Sequence, residues 1–277
     1  MKKEITIIGS GAVAKALAVN LKRKHFSVTI IGRTKKKITN LALTVSGKAY
    51  LFNEAEEKQF QNLTVIAVKD DAVADVVQMI WRSCRSLNGA VFFHVSGGLT
   101  SSVLQPLAML GAKTAAFHPM QTFPKKVMQK NPFSGITISL EGSRKAVQAG
   151  KLLAEILGAK TIVLSSEKKA LYHTAGIFAS NYLVTLLSIV REIAVEAGIP
   201  KKKVWEVYLP LMQTTLMNAS TVTPEKALTG PISRGDVKTV QKHLQALSKK
   251  KLRHLVPLYA ALGIETVRLA KKKTHAR

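Results

Sequence analysis

Residues Lys3 to Ala14 run Lys-Glu-Ile-Thr-Ile-Ile-Gly-Ser-Gly-Ala-Val-Ala, a short apolar strand that turns through a GxGxxA loop into a helix. In such a loop the first glycine permits a tight turn and the second lets the backbone approach a pyrophosphate. The small third residue allows close packing of helix on strand, and the helix N-terminus faces the anion. The context that gives the pattern weight is present: Val13, Leu17 and Leu21 share one helical stripe, and a second apolar run, Ser27 to Ile31, follows. Gly9, Ser10, Gly11, Ala12 and Val13 are therefore expected to cradle a dinucleotide; an ordinary strand-loop-helix turn is the alternative.

The end of the second run selects between dinucleotides. An NAD site usually places an Asp or Glu about 20 residues beyond the glycines, on the ribose 2′-hydroxyl. Here no carboxylate occurs between Glu4 and Glu54, and the run ends in Gly32-Arg33-Thr34-Lys35-Lys36-Lys37. A guanidinium and a hydroxyl at that position suit a 2′-phosphate, to which arginine offers bidentate bonds. Arg33 and Thr34 thus point to NADP(H), solvated surface charge being the alternative reading.

A chain of 277 residues with 47% apolar content is expected to form two domains. Strand-like runs at 63–68, 90–95, 113–117, 136–140 and 161–164 alternate with helical patterns at 72–85, 101–110 and 143–157, the signature of an α/β doubly wound sheet. From residue 166 the period is helical: 167–197, stopped by Gly198 and Pro200; 201–220, with Pro210 as an expected kink; 237–247; and 252–269. The expected division is a Rossmann-like domain over 1–165, a helical substrate and dimerisation domain over 166–270, and a frayed basic tail over 271–277.

The net charge of +26 invites thoughts of nucleic acid or anionic membrane. The basic residues are nevertheless spread over helix ends and loops, at Lys22 to Lys24, Lys35 to Lys37, Lys125-Lys126, Lys168-Lys169, Lys201 to Lys203, Lys249 to Lys251 and Lys271 to Lys273, without interleaved aromatics. This reads as a solvated surface that attracts acidic small molecules, with no membrane partner and with nucleic-acid binding as the minor alternative. No uninterrupted apolar run reaches the roughly 18 residues of a spanning helix, and the N-terminus enters a strand directly, so a soluble cytoplasmic protein is expected. The lone Cys84 reads as a packing or surface residue, and no metal site is expected.

Three polar boxes fall in expected loops. His94-Val95-Ser96-Gly97-Gly98 ends a strand, where Ser96 can hold a nicotinamide or a substrate carboxylate; a capped glycine turn is the alternative. Phe117 to Pro124 carries His118, Gln121 and Thr122 between two prolines, a small-molecule pocket or a rigid turn. Ala227 to Asp236 contains Thr229 and Arg234, the latter suited to clamp a carboxylate, while Asp236 can orient it or cap the next helix. On the long apolar helix His173 and Ser180 share a stripe, with Asn181 further around, as site residues or as hydrogen-bonded core polars.

GSGAVA, HVSGG, FHPMQTF, YHTAGIFASNYL and ALTGPISRGD, in this order over nearly the whole chain, resemble a bacterial family of uncharacterised oxidoreductases. That family has a Rossmann-like NADP-binding domain and a C-terminal helical domain of unknown function. The resemblance implies a fold related to 6-phosphogluconate dehydrogenase, ketopantoate reductase and pyrroline-carboxylate reductase, dimeric through the helical domain. Lysines that transfer protons in the hydroxyacid dehydrogenase relatives have no clear match here; the corresponding helix offers His173 and Asn181. Val68 belongs to the cofactor-side loop, where Lys69 replaces an expected proline.

The expectation is an NADP(H)-dependent oxidoreductase moving hydride to or from a small, acidic carbonyl, imine or hydroxyacid in an interdomain cleft. His173 and His118 are the candidate proton donors and Asn181 holds the substrate oxygen. Ser96, Gln121, Thr122, Thr229 and Arg234 position the substrate. The rival class is a non-catalytic NADP-binding sensor or complex-forming protein.

Overall fold

The computed structural model describes residues 3–123, 131–249 and 251–275. Pro124 and Lys125-Lys126 of the second polar box and its flank, Lys250, and the end of the basic tail lie outside them. The chain forms two compact units, residues 1–182 and 183–277.

The first unit is built on one eight-stranded sheet: β1 (Glu4–Ile8), β2 (Ser27–Gly32), β3 (Lys48–Leu51), β4 (Leu63–Ile66), β5 (Val91–His94), β6 (Lys113–Pro119), β7 (Thr137–Gly142) and β8 (Lys160–Val163). Their order is β3-β2-β1-β4-β5-β6-β7-β8. All pairs are parallel except β6 with β7. The central strands are continuous apolar runs because helices cover both faces: Ile5, Ile7, Ile8 and all of Leu63 to Ile66 have no solvent-facing side. The crossover helices are α1 (Ala12–Arg23), α2 (Lys35–Thr44), α3 (Val73–Ser83), α4 (Gln105–Met109) and α5 (Arg144–Leu157), and α6 (Ser166–Ile177) follows the last strand. Leu17, Leu21, Leu41, Leu153 and Leu157 of α1, α2 and α5 fill one side of the sheet. Val73, Val76, Val77 and Ile80 of α3, with Leu107 of α4 and Cys84, fill the other.

The chain leaves β1 for β2 and β3 on one side, then returns to β4 on the other. The carboxyl ends of β1 and β4 therefore flank the switch point at which such sheets bind ligands. The compact unit extends past the residue 165 expected as its end, because α6 stays with the sheet through a buried lysine described below.

The second unit is helical: α7 (Leu183–Glu196), α8 (Val204–Thr221), α9 (Pro224–Ala227), α10 (Val237–Leu247) and α11 (Val256–His275). Leu247, Leu252 and Leu255 form its core, with Ile189, Val256 and Tyr259 against them. One expectation needs correction. The tail does not fray at residue 271, since α11 continues to His275. The run 166–196 is long and apolar enough, by length and composition, to cross a membrane; polar residues scattered along it hid this from a search for an uninterrupted run. A π-helical turn, Phe178–Tyr182, separates α6 from α7 within that run, and α8 continues through Pro210 without a break.

Candidate active site in the first unit

The nucleotide edge is shaped by two glycines with different roles. Gly9 has φ +124°, and a Cβ there would lie 2.3 Å from the Ala67 carbonyl oxygen and 3.4 Å from Val68 Cγ1. Its N–H donates to the Ile31 carbonyl at 2.8 Å, joining the loop to β2. Gly11 is the N-cap of α1, in extended backbone, and a Cβ there would meet no atom of the described residues within 4 Å. The fold does not need Gly11 to lack a side chain, so the space before the helix is free for a ligand. No acidic residue stands in the first turn of α1 or of α2. Ser10 and Gly11 are exposed, and Ala12 and Val13 half-buried. Arg33 and Thr34 are exposed where β2 gives way to α2, and Thr34 occupies the N-cap without a side-chain bond to the helix. These groups fit an NADP(H) phosphate: an unblocked helix N-terminus and cations with no carboxylate beside them.

A second cluster lies under α6. Register places His94 of β5 opposite Ala116 of β6, and Ala116 opposite Glu141 of β7. His118 and Ser139, two residues along, are opposite each other. With side chains alternating along strands, these residues share one face of the sheet, and α6 brings Lys169 and His173 onto it. The His118 and His173 rings meet edge to face, centroids 5.3 Å apart. A Cβ on Gly97 would lie 2.2 Å from His173 Nδ1 and 2.8 Å from His118 Nε2, so only glycine fits between the loop and the two imidazoles. Gly176, one turn beyond His173, is similarly tight against Met120 Sδ, at 2.8 Å.

Lys169 is only 1% exposed. Its Nζ donates to the Ser96 carbonyl oxygen at 3.0 Å. Burial pulls its ammonium below the ordinary lysine range, opposed by the carboxylates of Glu141 and Asp70. Glu141 is itself buried, accepting from the Ser101 N–H and hydroxyl, each at 2.7 Å, and from the Ser166 hydroxyl at 2.8 Å. This pins the first residue of α6 to the sheet. Burial, then the Lys169 charge, lowers His94 to about 4. The same two causes, with His173, lower His118 to about 4. Both rings are therefore neutral at pH 7. Among the described residues, the Nδ1 atoms of His94, His118 and His173 are all buried without a hydrogen-bond partner, a concentration of unsatisfied polar atoms that marks a site rather than a core.

Ser96 reaches this cluster with its hydroxyl already engaged: it donates to Asp70 Oδ2 at 2.7 Å and accepts from the N–H groups of Gly98 and Leu99, at 3.2 and 3.0 Å. Gln121 folds onto its neighbour, its Oε1 accepting from the Thr122 N–H at 2.8 Å. Asn181 lies exposed in the π-helical turn. Thr229 and Arg234 belong to the second unit, where Arg234 pairs with Asp236 at 3.6 Å; Asp236 is the N-cap residue of α10 but makes no side-chain cap bond. Lys169, Asp70, Glu141 and Gly97 were not singled out from sequence. The available signal was the spacing of Lys169 and His173, four apart and hence on one helical face.

Residues 1–119 match the Rossmann-like domain family and residues 136–266 the domain of unknown function DUF2520. None of the curated proteins matches the chain in sequence. Among solved structures, a protein from Bacteroides fragilis provisionally described as an NADP oxidoreductase superposes with a TM-score of 0.79 at 26% identity, over 96% of this chain and 98% of its own. A protein from Thermotoga maritima gives 0.74 at 25% identity, over 98% and 99%. An imine reductase from Myxococcus stipitatus, in complex with NADP+, shares the fold with a TM-score of 0.66 at 17% identity, over 99% and 94%. By domain composition the chain is a Rossmann-like domain followed by a DUF2520 domain, the two meeting within the sheet of the first unit.

Proposed function

We propose that the protein is an NADP(H)-dependent oxidoreductase acting on a small carbonyl, imine or hydroxyacid, and that it works as a soluble cytoplasmic homodimer. One observation carries the reading: the edge of the sheet with an open, acid-free phosphate cradle also carries a buried lysine among neutral histidines. The amides of Ser10 to Val13 at the start of α1 hold the pyrophosphate, with Gly9 making the turn beneath it, and Arg33 with Thr34 holds the 2′-phosphate. Val68 packs beside the cradle. Bound NADPH supplies the hydride.

The chain's own residues supply orientation and the proton. Lys169 remains the cation of the cluster and donates a proton from Nζ to the developing alkoxide or amine, its burial bringing its acidity nearer to neutral pH. His118, neutral at pH 7, lines and shapes the pocket and does not act as the acid. Ser96 acts through its backbone, its carbonyl holding Lys169 and its hydroxyl ordering the 96–99 turn. Gln121, Thr122 and Asn181 offer polar contacts to substrate.

The protein titrated with NADPH and NADH at two salt concentrations tests this. Loss of one charge-assisted bond of about 1.5–3 kcal/mol in Arg33→Ala is expected to weaken NADPH binding roughly tenfold to a hundredfold and leave NADH unchanged. Equal binding of both nucleotides, or none, overturns the reading. NADPH binding without hydride transfer to any carbonyl or imine moves the protein to the sensor class.

A further inference from the structure

His173 has been considered as a source of protons; its surroundings give it a different part. The Nδ1–Cε1 edge of the ring is pressed against Gly97, where the one position a Cβ would occupy lies 2.2 Å from Nδ1 and 2.6 Å from Cε1. Nδ1 is buried and has no hydrogen-bond partner among the described residues. A proton on Nδ1 would aim a buried N–H at a methylene, which accepts nothing, whereas a lone pair there meets only the weakly polarised C–H of glycine. The ring as a whole is half-buried, so its free side is the Nε2 side.

We infer that Gly97 fixes His173 as the neutral Nε2–H tautomer, making it an uncharged hydrogen-bond donor for a carbonyl oxygen or imine nitrogen. Building the imidazolium would place a second proton at the closed Gly97 edge. His94 of β5 is neutral and committed through Nε2 to the Thr100 carbonyl at 3.2 Å. Gly97 is the positioning residue: any side chain there displaces the ring. The inference rests on the oxidoreductase reading only for the identity of the acceptor, an uncharged C=O or C=N group.

The test is a long-range ¹H–¹⁵N correlation spectrum of the full-length protein labelled on histidine, at pH 7, with the His173 signals assigned by their loss in His173→Gln. The expected result is a bare, pyridine-like Nδ1 and a protonated, pyrrole-like Nε2. A protonated Nδ1, an imidazolium, or rapid averaging between tautomers overturns the proposal. Gly97→Ala is expected to abolish the single-tautomer signature. Should that variant not fold, the wild-type spectrum alone decides. NADPH titrated into the same sample separates the two claims: absence of binding sinks the oxidoreductase reading and leaves the tautomer result standing.

Discussion

Lys169 Nζ donates to the main-chain carbonyl of Ser96 across 73 residues of sequence, with 1% of the lysine exposed. A lysine this enclosed is retained in a cation-rich chain only with compensation, here the Ser96 carbonyl and the charges of Asp70 and Glu141. Lys169→Met keeps the length and the packing of the stem and removes the charge. Hydride transfer is expected to fall by about 10²–10⁴, the usual contribution of a general acid, while NADPH affinity changes little. His94 and His118 should then titrate closer to 6.5, because one cause of their lowering is gone. Unchanged histidine titration together with unchanged turnover would remove Lys169 from the site.

Gly9 and Gly11 separate fold from ligand binding. Gly9→Ala is expected to destabilise the protein strongly, since the new Cβ meets the Ala67 carbonyl at a backbone angle that L-residues rarely adopt. Gly11→Val enters open space and should cost stability only as a poorer N-cap, about 1 kcal/mol, yet fill the path of the pyrophosphate and lower NADPH affinity by more than tenfold. Thermal melts with and without NADPH distinguish the two. Equal loss of stability in both variants would contradict the cradle.

The sheet and most crossovers are legible in the sequence because buried parallel strands are mostly apolar runs, as in Leu63 to Ile66, where only Thr64 is polar. β3 is not, since Lys-Ala-Tyr-Leu is a short edge strand with no fully buried residue. The same locality limits the site. Gly9, Gly11 and Arg33 are read from one contiguous motif. The second cluster depends on register between β5, β6 and β7 and on where α6 lands, relations that span up to 73 residues. Lys169 therefore looked like one more surface cation beside Lys168, and the Ser96 hydroxyl looked available although Asp70 had claimed it.

Neutral His94 and His118 make stability depend on pH. Their folded values, about 4, lie below the ordinary 6.5, so the unfolded chain takes up protons first as pH falls. The stabilisation is fully present above pH 6.5 and is lost progressively toward pH 4, at most roughly 3 kcal/mol per ring. Urea midpoints at pH 7, 6 and 5 should decline steadily. In His94→Gln, whose amide can still donate to the Thr100 carbonyl, the decline should be about half as steep. An identical slope in that variant would show that the ring does not carry the effect.

The homodimer is the remaining expectation open to a direct test. Helix α8 has 18 residues and buries only Val204, leaving Leu211 63% and Leu216 68% exposed. Together with Met217, Leu209 and the apolar side chains of α11 this is more apolar surface than a soluble monomer usually shows to water. A second copy of the chain would cover it at no cost in unpaired charge, since these positions carry none. Sedimentation velocity at micromolar concentration is expected to give a dimer. Leu211→Lys combined with Leu216→Lys should give a monomer whose helical circular dichroism is retained, because neither side chain supports the core at Leu247, Leu252 and Leu255. A wild-type monomer across that concentration range would rule the dimer out, and association of the wild type with anionic vesicles would instead assign the apolar surface to a membrane.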